Sequence, residues 1–164
     1  MARSKTSNTF SFNSASPADT ARLAALFAGR LKGGAALFLE GPIGSGKTFF
    51  VRELAAALGA RRLPVSASFN LMRSYKGRLK LFHFDLFRAG EADMENIGLD
   101  EYLGRPDGIT AVEWPGEAGG IYAGMEPLRL DFALAGGDSR VIKISAPAGD
   151  AGMLKAIEEK WLQK

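Results

Sequence analysis

The stretch Gly41-Pro42-Ile43-Gly44-Ser45-Gly46-Lys47-Thr48 matches the phosphate-binding P-loop pattern G-x-x-x-x-G-K-[ST]. In such a loop, a glycine-rich turn lets consecutive backbone N–H groups point at phosphate oxygens. The lysine supplies positive charge for the β- and γ-phosphates, and the threonine hydroxyl is a ligand for Mg²⁺. We therefore predict a nucleotide and Mg²⁺ site whose contacts come from Gly41, Ile43, Gly44, Ser45, Gly46, Lys47 and Thr48.

The residues on either side of this loop have the patterns of a strand and a helix. Residues Ala35–Leu39 form a continuous apolar run, which is typical of a buried parallel strand. Residues Phe49–Leu58 carry apolar side chains at helical spacing, and Gly59 follows where a glycine often ends a helix. Strand, loop and helix come in the order that a P-loop requires. This order disfavours the alternative, a glycine-rich connector that binds no nucleotide.

The composition is that of a soluble globular protein. The 164 residues are 46% hydrophobic and 24% charged, which suits one domain over residues 1–164, with residues 1–8 expected to be disordered. We find neither a signal peptide nor an apolar run near the roughly 20 residues of a membrane span, so we expect a cytoplasmic protein without membrane contact. The net charge of +3 is modest. Basic residues around Arg61 and from Arg73 to Lys80 could face nucleic acid or an acidic partner, although a solvated surface is favoured.

The rest of the chain alternates between strand and helix patterns. The predicted fold class is α/β: a P-loop NTPase three-layer sandwich with a mainly parallel central sheet and some antiparallel strands. A helix is predicted to begin at the N-cap Ser16, and a loop to cover Arg61–Ser68. One or two short helices are predicted within Ala92–Leu103, and a final helix over Asp150–Gln163. The other predicted strands are Thr9–Asn13, Phe69–Tyr75, Leu79–Phe84, Gly108–Val112, Leu128–Ala135 and Val141–Ala146.

Two carboxylates stand at the ends of predicted strands. Asp85 closes the strand that contains Phe84, and Glu113 closes the strand that ends at Val112. Ligands of open α/β sheets bind at the carboxyl ends of the strands, and a P-loop NTPase needs a carboxylate to hold Mg²⁺. We therefore predict Thr48, Asp85 and Glu113 as metal-site residues. The simpler alternative for each acid is a solvent-exposed strand end or a helix cap.

Four further side chains are weaker candidates. Trp114 could pack against nucleotide or a partner, or belong to the core. The Ser68 hydroxyl could sense the γ-phosphate as a switch residue. His83 could contact phosphate or a partner, or lie on a half-exposed strand face. Arg88 could act as an arginine finger, although a surface ion pair is the more common role.

Four segments, taken together, resemble the TsaE type of small P-loop ATPase, which takes part in bacterial tRNA threonylcarbamoyladenosine synthesis. They are Gly41–Thr48, Ser66–Met72, His83–Arg88 and Val112–Pro115. The resemblance implies that Thr48 and Glu113 belong to the Mg²⁺ site and that Asp85 is essential for ATP hydrolysis. We predict Asp85, Glu113 and Lys47 as the catalytic residues, because the two acids would position metal and water while Lys47 stabilises charge on the transferred phosphoryl group. Where the family's switch-like loop has Ser-Pro-Thr, this chain has Ser66-Ala67-Ser68 and lacks the proline's φ restraint.

The same resemblance implies an activity and partners. The family's ATPase is weak alone and supports a complex of TsaB- and TsaD-type proteins that modifies adenosine 37 of tRNA. This chain would then hydrolyse ATP but would not itself transfer the threonylcarbamoyl group, and it would contact tRNA only through the complex. Three alternatives stay open: a small-molecule or nucleotide kinase, a GTP-binding switch, and a nucleotide-dependent scaffold without turnover. An arginine-rich lid and the guanine-reading N-K-x-D pattern are both missing from the sequence, which disfavours the first two.

Overall fold

The computed structural model describes residues 8–61, 66–68, 71–116 and 119–163. Within these residues eight strands form one sheet, in the order β1-β8-β7-β2-β6-β5-β4-β3. The strands are β1 Asn8–Ser14, β2 Ala36–Glu40, β3 Ser66–Ser68, β4 Met72–Lys76, β5 Lys80–Asp85, β6 Gly108–Glu113, β7 Leu128–Leu134 and β8 Arg140–Ala146.

The centre of the sheet is parallel and both of its edges are antiparallel. Strands β7, β2, β6 and β5 run side by side in one direction, whereas β1 and β8 on one edge and β4 and β3 on the other pair antiparallel. Every residue of β6 is buried, as expected of a parallel strand that is covered on both faces of the sheet. Because parallel strands end at the same edge, Asp85 and Glu113 finish side by side.

Helices cover both faces of the sheet and make three layers. The helices are α1 Pro17–Ala28, α2 Lys47–Ala57, α3 Glu91–Ile97 and α4 Ala151–Leu162. The larger core cluster joins α1, α2 and α4 to one face, and the smaller one joins the region of Ile97 and Leu99 to the other. The predicted three-layer α/β sandwich is thereby confirmed.

The predicted start of α1 is confirmed in detail. The Ser16 hydroxyl accepts the Asp19 N–H at 3.3 Å, and Pro17 is the first helical residue. The Asp19 carboxylate accepts the N–H of Ala15 at 3.0 Å, one residue before the donor of a capping box. Helix α2 begins at Lys47, two residues before the predicted Phe49, since the Phe50 N–H already donates to Gly46 O at 2.9 Å.

Two predictions at the sheet edges were wrong in part. Residues 66–68, predicted as loop, form β3 against β4, because hydrogen bonding along an open sheet edge does not depend on apolar side chains. Asn8, predicted to be disordered, begins β1, whereas residues 1–7 lie outside the described residues. The prediction of a strand from Phe69 also begins outside them at 69–70, and β4 starts at Met72. Among the described residues, no helix is long and apolar enough to cross a membrane.

Candidate nucleotide site

The P-loop lies between the end of β2 and the start of α2. Gly41 has φ +139°, and a Cβ there would lie 2.5 Å from the carbonyl oxygen of Phe132, so a larger residue is excluded. Gly46 has φ +101°, but a Cβ there would meet no protein atom within 4 Å. Gly46 is also the N-cap of α2, and it has no side chain that could cap the helix. The first N–H groups of α2 are therefore free to bind an anion in the open space beside the loop.

The Lys47 ammonium lies folded against the loop. Its side chain is buried, and Nζ donates to Gly41 O at 2.6 Å and to Pro42 O at 3.0 Å. The Trp114 ring lies over Nζ, at 4.3 Å from the ring centroid. Burial lowers the pKa of Lys47, while the carboxylates of Glu113, Asp85 and Glu40 act to raise it. A bound phosphate would supply the negative charge that these carbonyl oxygens only partly replace.

Glu113 accepts hydrogen bonds from two sides of the site, from Thr48 of the P-loop and from His83 of β5. The Thr48 hydroxyl donates to its carboxylate, at 2.8 Å from Oε1 and 3.0 Å from Oε2. On the other side, His83 Nε2–H donates to Oε1 at 2.6 Å. Glu113 is 2% exposed, so this buried carboxylate links the start of α2 to β5 and β6. The alternative of a solvent-exposed strand end is wrong for Glu113.

His83 does not lie on a half-exposed strand face, contrary to one sequence-based alternative. It is 2% exposed and lies on the same face of the sheet as Leu81 and Ala111, which pack in the core cluster that also contains side chains of α1 and α2. Its Nδ1 is buried and has no hydrogen-bond partner in the described part of the chain. Within the described residues, the hydrogen bond from Nε2 to Glu113 is therefore the polar contact that holds the His83 ring in place.

Replacing His83 by Leu is expected to destabilise the fold by roughly 1–3 kcal/mol, because the buried Glu113 carboxylate loses a hydrogen-bond donor. His83→Gln keeps an N–H donor near the position of Nε2, so a smaller loss is expected. Urea unfolding of the two variants and the parent measures the difference. Equal stability of the Leu and Gln variants would show that the bond to Glu113 contributes nothing.

Asp85 and Trp114 line a cavity of about 570 Å³ beside the loop. Asp85 is partly exposed, and its Oδ1 accepts the N–H of Phe87 at 3.2 Å. Trp114 has φ +55°, which is uncommon for a residue with a side chain, and its ring lies 4.9 Å from that of Phe87. The other lining residues are Ile43, Gly44, Ser45, Gly46, Lys47, Thr48, Phe49, Leu71, Phe87, Arg88 and Glu113.

The weaker candidates are thereby sorted. Trp114 lines the cavity and belongs to neither of the two core clusters. Arg88 is exposed at the cavity, and no ion pair joins it to a residue that the structure describes, so its role as an arginine finger stays a prediction. The backbone of Ser68 forms the end of β3, but its side chain lies outside what is described, and the switch role stays a prediction.

The oxygen donors present fit a hard divalent cation. The Thr48 hydroxyl and the Glu113 carboxylate lie within hydrogen-bond distance of one another at the mouth of the loop. Mg²⁺ in phosphate-transfer enzymes usually takes one or two protein oxygens and completes its shell with phosphate and water. The described residues contain no cluster of three or more His, Cys, Asp or Glu side chains that could hold a metal by themselves.

A family profile described as "Threonylcarbamoyl adenosine biosynthesis protein TsaE" matches residues 14–142. The chain belongs to the TsaE family. The matched range contains every segment that carried the resemblance, from Gly41 to Pro115.

Named TsaE proteins are similar over much of their length. The tRNA threonylcarbamoyladenosine biosynthesis protein TsaE of Bacillus subtilis (strain 168) is 37% identical over 141 residues, which cover 84% of this chain and 86% of the relative. The protein of the same name from Treponema pallidum is 37% identical over 102 residues, 62% of this chain and 75% of the relative. The crystal structure of Bacillus subtilis YdiB superposes with a TM-score of 0.75 at 29% identity and covers 98% of each chain.

Sequence reasoning missed two contacts in this TsaE site. The first is the bond from His83 to Glu113, which the strand register explains: His83 lies two residues before Asp85 in β5, on the face that Glu113 shares in β6. The alternation of polar residues in β5 was the available signal. The second is Arg140, which reaches the P-loop from the hairpin between β7 and β8. In the sequence, Arg140 follows Asp138 and Ser139, and this pattern is typical of an ordinary turn.

Proposed function

We propose that this chain is a Mg²⁺-dependent ATPase that acts in the biosynthesis of threonylcarbamoyladenosine in tRNA. The observation that carries the proposal is the bond from Thr48 of the P-loop to the buried Glu113, with Lys47 and Asp85 lining the same cavity. Membership of the TsaE family supports the pathway, because the similar proteins carry that process in their names. Hydrolysis itself is argued from the chemistry of the side chains.

Each residue has a role that follows from its position. The N–H groups at the start of α2 and the Lys47 ammonium stabilise negative charge on the transferred phosphoryl group. Thr48 and Glu113 would hold Mg²⁺, which when bound neutralises charge on the β- and γ-phosphate oxygens. Asp85, which lines the cavity, would orient the attacking water and accept its proton. Trp114 over Lys47 excludes solvent from one side of this site.

A partner at the cavity rim would complete the site. Ile43 is 72% exposed and Phe87 47% exposed, and both line the cavity. A contiguous exposed apolar surface marks many protein–protein contact sites, and these two side chains would contribute to such a surface beside the polar site. We infer that the partner is a complex of TsaB- and TsaD-type proteins, that tRNA is met through this complex, and that ATP turnover alone is weak.

Phosphate release from ATP tests the proposal. We expect slow release with Mg²⁺, none after addition of a chelator, and faster release when TsaB- and TsaD-type proteins from the same source are added. Absence of release in all mixtures, with ADP or ATP still bound, would favour a scaffold without turnover. Transfer of phosphate to a small-molecule acceptor in place of water would favour a kinase.

A further inference from the structure

Arg140, the first residue of β8, joins the β7–β8 hairpin to the P-loop. Its Nε donates to Ser45 O and its Nη2 to Gly44 O, each at 3.1 Å. Its Nη1 donates to Gly137 O at 2.7 Å and to Ser139 O at 2.8 Å, both within the hairpin turn. Arg140 lies 95 residues after Ser45 in the sequence, so its guanidinium joins two distant segments of the chain.

These bonds fix the orientation of two consecutive peptide groups. In a trans peptide the C=O and the N–H point in opposite directions. The carbonyl of Ser45 shares its peptide with the N–H of Gly46, so a donor behind the loop turns that N–H towards the side of the cavity that Gly46 lines. The carbonyl of Gly44 shares its peptide with the N–H of Ser45, which donates to Pro42 O at 3.1 Å and closes the turn.

The loop needs such an external restraint because of its glycines. Gly44 has φ +77° and Gly46 φ +101°, and glycine loses more conformational freedom on ordering than any other residue. A loop held in its binding conformation before the ligand arrives avoids that cost at the moment of binding. No carboxylate of a described residue pairs with Arg140, so its charge also adds to the positive potential behind the loop.

We propose that Arg140 is a positioning residue that holds the P-loop in its phosphate-binding conformation and links nucleotide affinity to the β7–β8 hairpin. The inference rests on the proposed function, since it needs nucleotide to bind at this loop. Arg140 acts through the peptide groups of Gly44 and Ser45 and does not line the cavity itself.

Three variants test the proposal against the parent protein. Arg140→Met removes the donors and the charge, and Arg140→Lys keeps the charge but loses the planar fork. Arg22→Met is the matched control, because Arg22 also donates to two carbonyl oxygens, those of Lys160 and Trp161, but at the end of α4. The dissociation constant of ADP with Mg²⁺ is measured by calorimetry, and the hydrogen exchange of residues 41–48 by mass spectrometry without nucleotide.

We expect Arg140→Met to weaken ADP binding about tenfold or more and to speed hydrogen exchange in the loop. Arg140→Lys should weaken binding about threefold, and Arg22→Met should leave binding and loop exchange unchanged even if it lowers the melting temperature.

Equal affinity of Arg140→Met and the parent for ADP overturns this inference and leaves the proposed function standing. An equal loss in the Arg22 variant overturns it as well, since the effect would then be general destabilisation. If Arg140→Met does not fold, Arg140→Lys decides, and an unchanged affinity counts against the proposal. A parent protein that binds no ADP would overturn the proposed function with it.

Discussion

Replacing Glu113 by Gln is expected to lower the rate of ATP turnover about a hundredfold or more, which is the typical loss when one preorganised electrostatic group is removed from an active site. Gln keeps the size of the side chain and can still accept the Thr48 hydroxyl. It lacks the negative charge that balances Lys47 and that would hold Mg²⁺ with Thr48. Phosphate release at saturating ATP and Mg²⁺ measures the change.

Two further results separate a charge effect from a folding effect in this variant. Thermal unfolding of Glu113→Gln should stay close to that of the parent, because the substitution leaves no cavity. The control Glu159→Gln changes an exposed glutamate of α4, and we expect full turnover from it. If Glu113→Gln hydrolysed ATP at the parent rate, the assignment of Glu113 to the metal site would be wrong.

The sequence predicted the centre of the fold well because that part is governed by burial. β2 is apolar at every position before its last residue, Glu40, and β6 is apolar except at Thr110 and Glu113. A buried parallel strand favours such a composition. The glycines of the P-loop indicated a backbone conformation that other residues rarely adopt, and the structure has positive φ at Gly41, Gly44 and Gly46. Edge strand β3 was missed because its pairing needs backbone groups only, which the sequence does not display.

The site was predictable as a set of residues but not as a set of contacts. Asp85 and Glu113 were recognisable because each ends a strand, and the register then places them side by side. Which of the two meets Thr48 depends on the position of α2 over the sheet, a property of packing between distant segments. The same holds for Arg140, whose bonds to the P-loop depend on the turn of the β7–β8 hairpin. Local patterns carry little information about such side-chain contacts over long separations.

Replacing Asp85 by Asn is expected to separate catalysis from binding. Turnover should fall about a hundredfold, within the range for loss of a general base, because Asn cannot accept a proton from the attacking water. The affinity for ADP should change less than about threefold, since Asp85 makes no bond to the P-loop and Asn can still accept the Phe87 N–H. Single-turnover phosphate release and ADP calorimetry, each with Mg²⁺, measure the two quantities.

The dependence of ADP binding on Mg²⁺ distinguishes the two roles that an acid at this position can have. If Asp85 orients water, Asp85→Asn should keep the parent's gain in ADP affinity on addition of Mg²⁺. If Asp85 is a direct metal ligand, that gain should shrink together with turnover. The control Asp131→Asn alters an exposed acid on β7, another parallel strand of the same sheet, and both quantities should stay at the parent values. Parent-like turnover in Asp85→Asn would remove Asp85 from the catalytic residues and leave Glu113 as the essential carboxylate of the cavity.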